Sequence, residues 1–143
     1  MKAREQAVFF DDLSEGEALP GVTRQANRTN LFLFSAATWN PHRIHYDREY
    51  AATEGHPDVL VHGPLQGAWL TQYVTDWMGP RGRLRRIDWQ NRGRAFPDQP
   101  YTIRGTVTSL DREAATVSLA LTQCDAEGTV LVPGSAVVQL PRR

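Results

Sequence analysis

The sequence predicts an α+β domain in which an antiparallel sheet covers one long helix. Apolar side chains recur every three or four residues over 64–78, the longest helical pattern in the chain. Beyond it the pattern changes to alternation, the mark of strands with one apolar and one more polar face. No repeat, low-complexity segment or linker interrupts the 143 residues, so residues 1–143 read as a single domain large enough for one core.

Taken in order, residues 8–25 read as extended chain, with turns at Ser14-Glu15-Gly16 and Pro20-Gly21. Asn30–Trp39 is short, apolar and alanine-containing, and Thr29 or Asn30 would cap it as a helix. Asn40-Pro41 stops that helix, because the residue before a proline is pushed out of the helical region. Asp47–Glu54 reads as a second short helix, with Asp47 as its N-cap and Gly55 as its C-terminal stop. The long helix spans Pro64–Met78: Pro64 suits the first helical position, and Gly79-Pro80 ends the run. Leu65, Ala68, Trp69, Tyr73, Trp77 and Met78 form its apolar stripe. Strands are expected at 85–96, 101–110, 115–124 and 129–140, with turns at Asp111-Arg112-Glu113 and Asp125-Ala126-Glu127-Gly128. Such a sheet has edges that need protection.

Sixteen basic and sixteen acidic residues cancel, so no net field draws the chain to nucleic acid or to a membrane. No stretch approaches the roughly 20 apolar residues of a membrane span, and Met1–Gln6 leads into no apolar run of signal-peptide length. A cytoplasmic location is expected. The lone cysteine, Cys124, excludes an intrachain disulfide and, within an alternating run, reads as a buried or half-buried strand residue. Arg81, Arg83, Arg85, Arg86 and the terminal Arg142-Arg143 are local basic exceptions. Trp89 alone among the arginines of its strand is too little stacking surface for single-stranded nucleic acid.

The chemistry concentrates in Asn40-Pro41-His42-Arg43-Ile44-His45-Tyr46-Asp47, followed by His62-Gly63-Pro64-Leu65. Two imidazoles and a carboxylate thus fall within six residues, just before a glycine that opens the long helix. Acid–base groups beside a helix N-terminus suit a reaction in which a proton moves while an oxygen gathers negative charge. The chain therefore reads as an enzyme. The four histidines show no i, i+4 pairing of the helical zinc type, so no metal is expected. His56, beside Pro57-Asp58, reads as a loop residue, and His42 as a surface residue or a support of the site.

Phe34-Ser35-Ala36-Ala37-Thr38-Trp39-Asn40-Pro41 through His45 resembles the signature of the MaoC-like, or (R)-specific enoyl-CoA hydratase, family. In that family an aromatic residue precedes Ser-Gly-Asp-x-Asn-Pro-x-His, whose Asp and His are the catalytic pair. His62-Gly63-Pro64-Leu65 resembles the family's His-Gly turn at the start of the central helix. The family aspartate falls here on Thr38 and the glycine on Ala37, and His42 and Arg43 are inserted before Ile44-His45. The run His-Arg-Ile-His-Tyr-Asp is similar to a branch holding yeast-type mitochondrial 3-hydroxyacyl-thioester dehydratases and mesaconyl- and itaconyl-CoA hydratases.

The resemblance implies a hot-dog fold, a homodimer or higher homo-oligomer, and hydration or dehydration of an acyl thioester of CoA or acyl carrier protein without a cofactor. His45 and Asp47 are then the expected acid–base pair, converging only if the segment between them is extended or tightly turned. Gly63 is the expected oxyanion donor, and Asn40 a positioner of the substrate oxygen or water. His62 is expected to serve the substrate or the turn, and Arg43 to meet a dicarboxylic acyl group. Arg85, Arg86, Arg92 and Arg94 would meet the phosphates of a CoA arm or form a solvated face. Two other readings stay open. A thioesterase would need a carboxylate on the central helix, where Asp76 is the only acid; a non-catalytic partner subunit would account for Thr38.

Overall fold

The structure is a computed structural model and describes residues 8–143; the expectation for Met1–Gln6 lies outside the described residues. The first helix, α1 (Arg28–Thr38), starts earlier than expected. Asn27 is its N-cap, accepting from the Asn30 amide at 2.8 Å, while the Asn30 side chain accepts from the Asn27 amide at 3.0 Å. Asn30 thus belongs to the cap as the third helical residue of a reciprocal pair, not as the cap itself. The helix ends at Trp39 in the left-handed region (φ 52°), and the Asn40 amide donates back to Ser35 at 2.9 Å. A single 3₁₀ turn, Arg43–His45, leads to α2 (Arg48–Thr53), capped as expected by Asp47 and followed by Gly55 at φ 79°.

The long helix α3 (Gly63–Met78) buries Gln66, Gly67, Trp69, Leu70, Tyr73, Val74 and Trp77. Its buried stripe is rotated slightly from the expected one, since Ala68 is exposed. Among the described residues five antiparallel strands form one sheet: β1 (Val22–Arg24), β2 (Arg83–Trp89), β3 (Tyr101–Asp111), β4 (Thr116–Cys124) and β5 (Val130–Gln139). Their order is β1-β3-β4-β5-β2, so the meander β3–β5 is flanked by two edge strands from elsewhere in the chain. β1 reads from sequence only as extended chain, because three residues carry too little alternation. Leu70, Tyr73 and Val74 pack into a common core with Ile103, Val107, Leu119, Leu121, Val132 and Val138 of the sheet. Both expected turns form: Asp111 accepts from the amides of Glu113 and Ala114, and Asp125 from that of Thr129.

β2 stops at Trp89 rather than at 96. Beyond it the amides of Arg92 and Gly93 both donate to the Leu131 carbonyl, so successive residues face one partner and the ladder breaks. The released segment crosses toward the start of α3, where the Val61 amide donates to the Ala95 carbonyl at 2.8 Å. This crossing brings residues 91–95 to the functional region.

Candidate active site

The 3₁₀ turn at Arg43–His45 aims His45 inward, leaving it 8% exposed. Its Nδ1 lies 2.8 Å from the Leu60 carbonyl. A carbonyl only accepts, so Nδ1 carries the hydrogen, and Nε2 of the neutral ring is left as a base. Burial holds the His45 pKa below its ordinary value; His42 pushes the same way, against the Leu60 bond. His62 lies flat on His45, with ring centroids 3.7 Å apart and planes 19° apart. It is fully buried, and Ser35 Oγ sits 2.8 Å from its Nε2. Burial first, and then the neighbouring His45, push the His62 pKa down to about 4. Both rings are therefore neutral near neutral pH, as a close imidazole stack requires.

The two rings meet at the start of α3. The first N–H groups of a helix have no intrahelical partner, and here the N-cap His62 makes no side-chain cap. Pro64 has no N–H, so Gly63 and Leu65 present the free donors at the positive end of the helix. A Cβ at Gly63 would meet the Asn91 side-chain amide and displace it, so glycine is what lets Asn91 lie against the start of α3. A cavity of about 190 Å³ opens here, its wall including His45, Gly63, Gln66, Asn91 and Arg94, with apolar Leu60, Val61 and Ala95.

The structure thus gathers His45 and Gly63 on this wall, with His62 buried and stacked on His45, and it leaves the other expected residues elsewhere. Asp47 makes no hydrogen bond to His45 among the described residues. Its Oδ1 accepts from the Tyr50 amide at 3.0 Å, and its Oδ2 from Arg43 Nη2 at 2.6 Å. These bonds, the Tyr50 amide foremost, hold the Asp47 carboxyl below its ordinary pKa. Arg43 is committed to that pair and stacks on Tyr50, 4.5 Å from the ring centre. Asn40 acts through its backbone as the exit of α1, and Thr38 Oγ1 donates to the Phe34 carbonyl of its own helix. His42 Nδ1 accepts from the Ile44 amide, which shapes the 3₁₀ turn.

Gln66, Asn91 and Arg94 are the wall residues that sequence reasoning missed or placed elsewhere. Gln66 carried a local signal, a glutamine within a core-facing helical stripe three residues after Gly63. It is 2% exposed and accepts from Gln123 Nε2 at 2.7 Å. Asn91 carried none, since its place depends on the break after β2. Trp89 packs its ring on Gly67 of α3, which assigns it to the fold rather than to stacking on a base. Cys124 is buried, as expected.

A curled antiparallel sheet over one central helix, with an imidazole beside that helix's first turn, defines a hot-dog domain of the acyl-thioester hydratase class. The family model for hydroxyacyl-thioester dehydratase type 2 matches residues 13–97, more than half of the chain, and the chain belongs to that family. Forty-three residues are 58% identical to the mesaconyl-C(4)-CoA hydratase of Chloroflexus aurantiacus, covering 29% of this chain but only 15% of that enzyme. The (R)-specific enoyl-CoA hydratase of Rhodospirillum rubrum is 24% identical over 136 residues, covering 94% of this chain and 93% of that protein. An (R)-hydratase from Pseudomonas aeruginosa superimposes with a TM-score of 0.86 at 21% identity, over 96% of this chain and 88% of that one. The expected hot-dog fold is borne out, and so is the hydro-lyase family.

Proposed function

We propose that this protein adds water to the double bond of an α,β-unsaturated acyl thioester, and removes it in reverse, with His45 as the acid–base group. The observation that supports this most is the free Nε2 of His45 in a small cavity beside the uncapped first turn of α3. In hydration, Nε2 takes a proton from water as its oxygen bonds to Cβ. The π pair moves toward the thioester oxygen, which the Gly63 N–H meets as an enolate. The imidazolium then returns the proton to Cα, and the carbonyl re-forms. Among the described residues no carboxylate lines the cavity wall, so one imidazole serves both steps, and Asp47 acts by holding the 3₁₀ turn and the start of α2. A cavity of about 190 Å³ suits a short acyl group.

Hydration of crotonyl-CoA, followed as loss of enoyl absorbance, tests the reading beside a His45→Ala variant. Activity is expected in the parent and a loss of at least ~10²-fold in the variant. A folded parent with no turnover would instead favour the partner-subunit reading, which the lack of an acid among the described wall residues also supports. Thioester hydrolysis is disfavoured, because Asp76 sits away from the cavity, 3.8 Å from Arg24 Nη2.

We further infer a homodimer. β2 is a sheet edge, and Phe32, Leu33 and Trp39 of α1 and its exit are exposed apolar side chains that a second copy would cover. Sedimentation at micromolar concentration should give twice the chain mass; a monomer at that concentration would overturn this. No helix among the described residues is long and apolar enough to cross a membrane, and we place the protein in the cytoplasm on its lone unpaired cysteine.

A further inference from the structure

Two glutamines lie in the core, where apolar side chains would pack without loss. Gln66 of α3 and Gln123 of β4 are both buried, and Gln123 Nε2 donates to Gln66 Oε1 at 2.7 Å. Gln123 Oε1 has no partner among the described residues. An unmet buried acceptor costs stability, so the pair calls for a reason beyond packing. The same cost fixes the orientation of the two amides. Turning both over would strand the Gln123 N–H groups in the core, and buried N–H groups go unpaired more rarely than carbonyl oxygens. Gln66 therefore gives its oxygen to Gln123. Its side-chain nitrogen, with no protein partner among the described residues, is left for the His45 cavity, whose wall includes Gln66.

The place of Gln66 on α3 sets which turn that nitrogen covers. In a helix the Cα–Cβ bonds tilt toward the N-terminus, so a side chain lies over the turn before its own. For Gln66 that turn starts at Gly63, three residues back, and both residues line one cavity with His45. The Gln66 backbone N–H is spent on the His62 carbonyl at 3.1 Å, so the side chain is what this residue can offer a ligand. We propose that Gln66 Nε2 is a second donor to the thioester oxygen, beside the Gly63 N–H, and that Gln123 is the positioning residue that holds it there. This rests on the hydratase reading, which puts the thioester oxygen at Gly63 and the double bond at His45. As the π pair moves onto that oxygen its charge grows, and both donor bonds strengthen. No proton leaves the amide; the proton that travels is the one His45 takes from water and returns to Cα.

Two measurements on the full chain test this, using methionine as a replacement of similar size without an N–H. With crotonyl-CoA, Gln66→Met should lower kcat and kcat/KM together by ~10²-fold, as loss of a bond made mainly in the transition state does. Gln123→Met should lower kcat by a smaller factor, because the Gln66 amide survives but is no longer fixed, while Tm holds or rises. A pair that serves only the core would change Tm and leave kcat alone in both variants, and that result would overturn the proposal. The second measurement needs no turnover. Crotonyl-CoA labelled with carbon-13 at the thioester carbonyl, bound to His45→Ala, should show its carbonyl stretch moved to lower frequency, because donors polarise the bond. Adding Gln66→Met should undo part of that shift, and so should Gln123→Met, which carries the test if the first variant does not fold. A shift indifferent to both changes would overturn the proposal. No turnover in the parent, together with a shift that depends on Gln66, would sink the hydratase reading and leave the donor standing. Turnover with a shift indifferent to Gln66 would do the reverse.

Discussion

His45 is oriented by a backbone carbonyl, and this sets how it titrates. A carboxylate at Nδ1 would stabilise the imidazolium strongly; the Leu60 carbonyl fixes the same tautomer while favouring the charged ring less. Burial outweighs that bond, and the folded pKa falls below 6.5. The neutral ring is the form that takes a proton from water, so hydration should hold its rate as pH falls past 6.5 and decline only below it. A kcat/KM profile against pH for crotonyl-CoA measures this directly. An acid limb centred at or above 6.5 would mean that another group is the base. His62 contributes at the same scale by packing. Its ring can be neither charged nor tilted without disturbing the 3.7 Å stack, so it holds the His45 ring in plane.

At the scale of elements, what was legible in the chain was what repeats locally. The 3.6-residue period of α3 and the alternation of β3, β4 and β5 locate the helix and the meander within a residue or two. The Asp47 cap was legible for the same reason, since a cap is a contact three residues long. The role expected of Asp47 in catalysis needed its carboxylate to turn toward His45 two residues before it, and its oxygens accept from the Tyr50 amide and from Arg43 instead. The cavity wall was not legible as a wall, because it joins the 43–45 turn, the first turn of α3 and the crossing segment after β2, which no short-range pattern connects. Trp89 shows what binds the last of these to the helix: its ring fills the space where Gly67 has no side chain. Gly67→Ala should push that ring away and cost ~1–3 kcal/mol by overpacking, seen as a lower Tm. Adding Trp89→Ala should recover part of the loss. A Tm unchanged by Gly67→Ala would show that the contact does not set the spacing of β2 and α3.

The whole molecule encloses His62 completely, and that enclosure ties global stability to pH. In the unfolded chain His62 binds a proton near 6.5; in the folded protein it does so only near 4. Between those values the unfolded state holds more protons, so stability rises with pH across the window and is lost as pH falls through it. His45, whose pKa is lowered in the same direction, adds to the slope. The carboxylates with lowered values, Asp12 and Asp47, act elsewhere: their contribution is intact above 3.8 and lost only below it. Acid weakening that begins between 6.5 and 4 therefore belongs to the imidazole stack. Unfolding free energies from urea titrations should fall by a few kcal/mol in the parent between pH 7.5 and 4. A His62→Gln variant, which keeps a hydrogen-bonding group toward Ser35 but cannot titrate, should have a shallower slope whatever its absolute stability. Parallel slopes would place the acid sensitivity outside His62 and remove the argument that the core holds this ring neutral.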